Sequence, residues 1–187
     1  MYFGILYVRM DSFFIRSEIP EDIPAIFDVN LQAFGQDGEA RLVRALRNDG
    51  DTIPGLSLVA VYNDKIIGHI LFAPISIESE DAHVPAVALA PLSVCLEHQC
   101  QGVGSILVEE GLKACRQLGH RIVIVVGHPT YYPRFGFTTA PPLGINAPFP
   151  CRNEVFMVCP LVPGALDGIH GTVRYPPAFE AEGAHAG

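Results

Sequence analysis

No cluster of lysine or arginine stands out anywhere in this chain. Its 12 basic residues are outnumbered by 20 acidic ones, for a formal net charge of −8. Nucleic-acid binding depends on neutralising phosphates with a basic face, so neither DNA nor RNA is an expected partner. Long apolar runs are missing too. The longest purely aliphatic one, Ile122 to Val126, falls far short of the roughly 20 residues that a membrane-spanning helix needs. The apolar opening from Met1 to Val8 is followed at once by Arg9 and Asp11. It has neither a basic n-region nor a small-residue cleavage site, so no signal peptide is read there. The cysteines (Cys95, Cys100, Cys115, Cys151 and Cys159) are odd in number and lack C-x-x-C spacing. Neither a disulfide framework nor a zinc site is indicated, and all five are expected to be reduced, small hydrophobes. Internal repeats and low-complexity tracts are absent. These exclusions leave a cytoplasmic protein with no nucleic-acid, membrane or metal partner.

What the chain does have is core-forming material: 49% of its 187 residues are hydrophobic and 17% charged. Such a chain is not intrinsically disordered, and its length suits one domain. That domain is expected over residues 13–179, between an irregular N-terminal extension (1–12) and a polar tail (180–187).

Phe13 to Ser17 reads as a short strand. Pro20, Glu21 and Asp22 then open a helix, with proline in the first turn and acids at the positive end. Ile23, Ile26, Phe27, Leu31 and Phe34 predict its buried face. A second helix runs from about Glu39 to Asn48 and stops at Gly50. Leu56–Tyr62 and Lys65–Phe72 flank Asn63-Asp64, which is a hairpin signal. The run from Val84 to Leu96 is strand-like, and Pro91 within it predicts a bulge or break. Gly102 to Leu118 reads as a helix with Leu107, Leu112, Cys115 and Leu118 inward and a Glu109–Lys113 pair outside. Gly119 ends it, and Arg121–Val126 has the character of a buried strand in a parallel pair. Val155–Cys159 and Gly171–Tyr175 complete the strands. This order predicts a mixed α/β fold: a mostly antiparallel central sheet with flanking helices and a crossover helix.

Two segments carry chemistry. The first is Gln99-Cys100-Gln101-Gly102-Val103-Gly104, placed between a strand and a helix. Glycines there let a ligand approach the backbone, and the free N–H groups of the first turn suit a pyrophosphate. It is not a Walker A loop, since no Gly-Lys-Ser/Thr follows, and the third glycine of the dinucleotide fingerprint is missing. Close packing alone also explains a G-x-G before a helix. The second is Gly127-His128-Pro129-Thr130-Tyr131-Tyr132-Pro133-Arg134-Phe135-Gly136-Phe137, which on its own reads equally well as a packed aromatic corner.

Taken together and in this order, the two segments resemble the GNAT superfamily of N-acetyltransferases. Ala90 to Ser105 is similar to that family's pyrophosphate motif, Gln/Arg-x-x-Gly-x-Gly/Ala, with its preceding strand. Tyr131 to Phe137 is similar to its later Phe/Tyr-Tyr-x-x-x-Gly-Phe signature. The resemblance covers roughly residues 13–160. It is nearest to the YhbS-like bacterial branch, whose C-terminal region looks like Leu161–Leu166 and Gly171–Phe179. It implies a splayed strand pair that opens a cleft for acetyl-CoA. Main-chain groups of Leu92, Ser93 and Val94 would then hold the pantetheine arm and acetyl carbonyl. Gln99, Cys100, Gln101, Gly102, Val103, Gly104 and Ser105 would hold the pyrophosphate, without any metal. Tyr132 matches the usual general acid, protonating the departing thiolate, and a main-chain N–H near Val94 would stabilise the oxyanion.

Two departures bear on mechanism. The loop after the buried strand offers His128 where many members have asparagine, and Val87–Ser93 contains no acidic residue. The base is therefore unassigned, with His69, His128 and Glu97 as candidates. The resemblance implies acetyl transfer to the primary amine of a small molecule or peptide, by direct attack in a ternary complex. No cysteine sits with a histidine at a recognised nucleophile motif. The alternative is a CoA-binding sensor or inactive interaction domain that keeps the pocket. Nothing in the sequence identifies the acceptor, and a homodimer stays open.

Overall fold

Period-two alternation of apolar residues builds this molecule outward from its sheet. The computed structural model describes residues 8–9 and 13–181. Strands β1 (Val8–Arg9) and β2 (Phe14–Ser17) lead into a turn at Pro20–Asp22, where the Asp22 carboxylate pairs with Arg16 and accepts the Ile19 N–H. Helices α1 (Ile23–Phe34) and α2 (Gly38–Asp49) follow, then the hairpin β3 (Ser57–Tyr62) and β4 (Lys65–Glu78). Its turn places Asn63 and Asp64 at φ 47° and 59°, the left-handed pair that matches the twist of the flanking strands. Next come β5 (His83–Val94), α3 (Val103–Gln117) and β6 (Ile122–Val126). The C-terminal third holds β7 (Thr138–Thr139), β8 (Ile145–Asn146), β9 (Phe156–Pro160), β10 (Gly171–Arg174) and α4 (Pro177–Ala181).

The main path of the sheet runs β1-β2-β3-β4-β5-β6-β9-β7, with β10 joining β4 and β8. All pairs are antiparallel except β5–β6 and β8–β10. In β6, Val123 and Val125 face the α3 side, while Ile122 and Ile124 face the side of α1, α2 and α4. In β3, Leu58 and Ala60 alternate with Val59 and Val61 in the same way. Helices thus cover both faces of a sheet buried on both sides.

Four details depart from the sequence expectation. In α1 the buried positions are Ile26, Val29 and Asn30, while Ile23, Leu31 and Phe34 are exposed; the helix turns toward the sheet the stripe carrying Asn30, whose amide meets His69. Leu118 is exposed because it caps α3 just before the chain turns at Gly119. Lys113 pairs with Glu110, at 3.4 Å, rather than with Glu109. Strand β4 runs on through Pro74 to Glu78 to pair with both β5 and β10. Of the expected N-terminal extension, Val8 and Arg9 pair with β2; its other residues, except the described pair, and tail residues 182–187 lie outside the described residues.

Candidate active site

The Pro91 break shapes the site. Ile70 pairs with Leu92 and Phe72 with Leu89, so Leu71 stands opposite both Ala90 and Pro91, the two-against-one count of a β-bulge. On its other side β5 pairs with β6 only at Val87–Val123 and Ala88–Ile124. Beyond Ala88 the two strands part. Strand β5 continues along β4 to Val94, while β6 continues along β9 to Val126. Residues 89–94 therefore turn one main-chain edge to a gap, as an unpaired strand edge does.

The amino end of α3 lies at the mouth of that gap. Cys100 and Gly102 are both left-handed, at φ 59° and 87°, which gathers successive N–H groups onto one side of a loop. The first helical N–H groups have no intrahelical partner. Nothing lies within 4 Å of where a Cβ on Gly102 would stand, so space remains above the loop. The glutamines act inward: Gln99 Nε2 donates to the Val94 carbonyl at 3.0 Å and Gln101 Nε2 to the Glu97 carbonyl at 2.8 Å. Both side chains staple the loop shape.

Tyr131 joins the far wall to this mouth. A Cβ on Gly104 would lie 3.0 Å from the Tyr131 hydroxyl, 3.6 Å from Val94 and 3.9 Å from Leu92. The structure thus brings together Leu92, Val94, Gly104 and the Tyr131 hydroxyl, and Gly104 has a packing role of its own. Tyr132 is buried, edge-on to Tyr131 and Phe137 with centroids 5.1 and 5.5 Å away. Its ring lies so close to Gly127 that a Cβ there would approach within 2.3 Å. Burial, with the neighbouring Tyr131 as a lesser cause, pushes the Tyr132 hydroxyl above the ordinary phenol range. Ser93 differs from its neighbours. Its side chain is buried on the opposite face, where its hydroxyl donates to the His69 carbonyl at 3.5 Å.

Arg134 is the residue that sequence reasoning missed, although it stands inside the quoted motif. Its guanidinium lies over the Tyr131 ring, 4.1 Å from the centroid, and donates to Ser105 Oγ at 3.1 Å. A fixed cation is thereby placed at the positive end of α3, in a chain whose net charge is negative. An arginine beside a helix-start loop was the available signal.

The base candidates separate sharply. His69 is fully buried on the α1–α2 side, and both ring nitrogens are engaged. Asn30 Nδ2 donates one hydrogen to the Ile26 carbonyl and points the other at Nδ1, 3.2 Å away. That leaves Nε2 to donate to Ser57 Oγ at 2.9 Å, and Ser57 donates to Glu18, which Arg47 clamps. Burial, assisted by the charge of Arg47, drives His69 down to about 3. The Glu18 carboxylate, 3.9 Å from Nε2, pulls the other way, but Arg47 and Ser57 already share its charge. A neutral, sealed His69 is not a base for a substrate in the gap. Glu97 and His128 are exposed, in the turn before the loop and just after β6. All five cysteines are free thiols, with Cys115 and Cys159 buried. Among the described residues no group of three His, Cys, Asp or Glu is placed to hold a metal, and no helix is long and apolar enough to cross a membrane.

A sheet that splays at one parallel pair, with a glycine loop and helix start at the opening, defines a class of acyl-CoA-dependent transferase folds. An acetyltransferase (GNAT) domain model matches residues 15–140, and the chain belongs to this family. The uncharacterized N-acetyltransferase YhbS of Escherichia coli K12 is 37% identical over 166 residues, covering 88% of this chain and 97% of its own. The uncharacterized N-acetyltransferase YjhQ of the same strain is 42% identical over 134 residues, 71% of this chain and 74% of its own. The crystal structure of E. coli YhbS in complex with CoA superposes with a TM-score of 0.85 at 35% identity, covering 90% of this chain and 92% of that one. A Brucella melitensis GNAT acetyltransferase in complex with acetyl-CoA gives 0.73 at 31%, covering 89% and 97%.

Proposed function

We propose that this protein transfers an acetyl group from acetyl-CoA to the primary amine of a small molecule or peptide, by direct attack in a ternary complex. The observation that carries this reading is the gap where β5 leaves β6, with the amino end of α3 at its mouth. The relatives solved with CoA and acetyl-CoA, similar over about nine tenths of the chain, support the same donor. On this reading the loop from Gln99 to Ser105 receives the pyrophosphate on N–H groups aided by the helix dipole. Arg134 adds a cation there. The main-chain edge of Leu92, Ser93 and Val94, on which Gln99 already engages the Val94 carbonyl, takes the pantetheine arm as it would take another strand.

In the chemical step the amine nitrogen bonds to the thioester carbonyl carbon and the carbon–sulfur bond breaks. The amine gives up a proton to water, the sulfur gains the phenolic proton of Tyr132, and water returns a proton to the tyrosinate. A raised phenol keeps that proton until the thiolate develops. A main-chain N–H near Val94 stabilises the oxyanion. Cys95 is no rival nucleophile, since burial pushes its thiol up and its partner is the Ile66 carbonyl at 4.0 Å. The test is release of free thiol from acetyl-CoA against a broad panel of amines. Binding of CoA with no turnover on any amine would instead favour an inactive CoA-binding domain.

A further inference from the structure

We propose that the donor's acyl chain lodges in a small pocket of apolar side chains at the apex of the gap, so that propionyl and butyryl thioesters serve alongside acetyl. This rests on the acyltransferase reading above and names the acyl class that the same site takes. The apex holds a cavity of about 40 Å³, lined by strand residues 88–90 and 124–126 with Tyr175 and Phe179. A water-sized group needs about 10–15 Å³ on this measure, so there is room for about three such groups. Butyryl has three carbons beyond its carbonyl.

The position of the pocket fits an acyl tail rather than an amine. None of its lining side chains is charged, and six of the eight belong to or pack against the apolar cluster on the α1–α2–α4 face, while Leu89 and Val125 belong to the opposite one. Leu92, Val94 and Tyr132, which the proposed function assigns to the reacting end, belong to or pack against the cluster on the opposite face. A thioester entering from the α3 side thus carries its acyl chain through the gap toward the pocket. Ala90 stands two residues before Leu92 across the bulge, at most about 7 Å away, within reach of a short chain. Ala88 and Ala90 keep the floor low. Phe179 and Tyr175, with ring centroids 4.9 Å apart and Phe149 5.9 Å beyond Tyr175, form the end wall. These aromatics come from the C-terminal segment, so that segment acts as the ruler for chain length.

The chemistry is unchanged by the longer chain. The amine nitrogen bonds the acyl carbonyl carbon, the sulfur leaves and takes a proton, and the amine loses one. The experiment is calorimetric titration of the full chain with CoA and with acetyl-, propionyl-, butyryl- and octanoyl-CoA. Each methylene buried should tighten binding about fourfold, so butyryl-CoA should bind about tenfold or more tighter than acetyl-CoA. Octanoyl-CoA should lose that gain against the end wall. Phe179→Leu, which shortens the wall while keeping it apolar, should move the optimum to a longer chain. Equal affinity for CoA and all its acyl derivatives would overturn the proposal, as would affinity still rising at octanoyl. A folded Phe179→Leu protein with the wild-type chain preference would remove the C-terminal segment as ruler. Absence of binding to CoA itself would instead sink the underlying reading.

Discussion

Replacing His69 by glutamine should flatten the acid side of the stability profile. The histidine is neutral and sealed in the fold, with its folded value near 3 against 6.5 for an unperturbed ring. Below pH 6.5 the unfolded chain therefore binds a proton that the folded chain refuses. Stability contributed by this residue is complete above pH 6.5 and drains away as pH falls toward 3. The slope approaches about 1.4 kcal/mol per pH unit, so the loss by pH 4.5 is about 2–3 kcal/mol. That is a substantial part of the 5–15 kcal/mol typical of a domain. Glutamine cannot titrate, yet it still offers a donor toward Ser57 and an acceptor toward Asn30. Its own cost at pH 7 should be about 1–2 kcal/mol for imperfect hydrogen bonds. The assay is urea unfolding followed by circular dichroism at pH 7, 5.5 and 4.5, because the chain has no tryptophan. The two proteins share every carboxylate, so the difference between them reports residue 69 together with its neighbour Glu18. Parallel losses in wild type and variant would show that His69 titrates freely, and would restore it as a candidate base.

Three further perturbations address the site. Tyr132→Phe keeps the ring and removes the proton donor; turnover in the thiol-release assay should fall by up to about a hundredfold, with CoA affinity nearly unchanged and Tyr131→Phe as the parallel control. Wild-type turnover would make Tyr132 a packing residue. Gly104→Val places branched methyls against the Tyr131 hydroxyl and Val94, and should weaken CoA at least tenfold, about 1.4 kcal/mol, without unfolding; unchanged affinity would leave the loop with packing alone. Arg134→Ala removes an exposed cation worth about 1 kcal/mol, so CoA should bind about fivefold more weakly in low salt and nearly as well as to wild type in 0.5 M salt. A salt-independent defect would place Arg134 in folding rather than in anion binding.

Much of this was legible from residue type. Asn63-Asp64 marked the hairpin, Pro91 the break that opens the gap, and Gly102 the helix start, because each suits a backbone state few other residues supply, whereas Gly104 is helical and is required by its close neighbours. The inward face of α1 was not legible. Its apolar residues form a wide stripe, and a buried polar bond between Asn30 and His69, far apart in sequence, selects the side that packs. His69 was ambiguous for the same reason: only the fold reveals that Ser57 and Asn30 occupy both its nitrogens. Tyr175 and Phe179 stood inside a segment that resembled the family, yet nothing local in it pointed to the gap that they line.

The central claim is most directly tested by titrating the purified full chain with CoA in the presence of EDTA. The account predicts saturable one-site binding that is indifferent to the chelator and weakened by Gly104→Val. No heat of binding at millimolar CoA, from protein shown to be folded by circular dichroism, would contradict it.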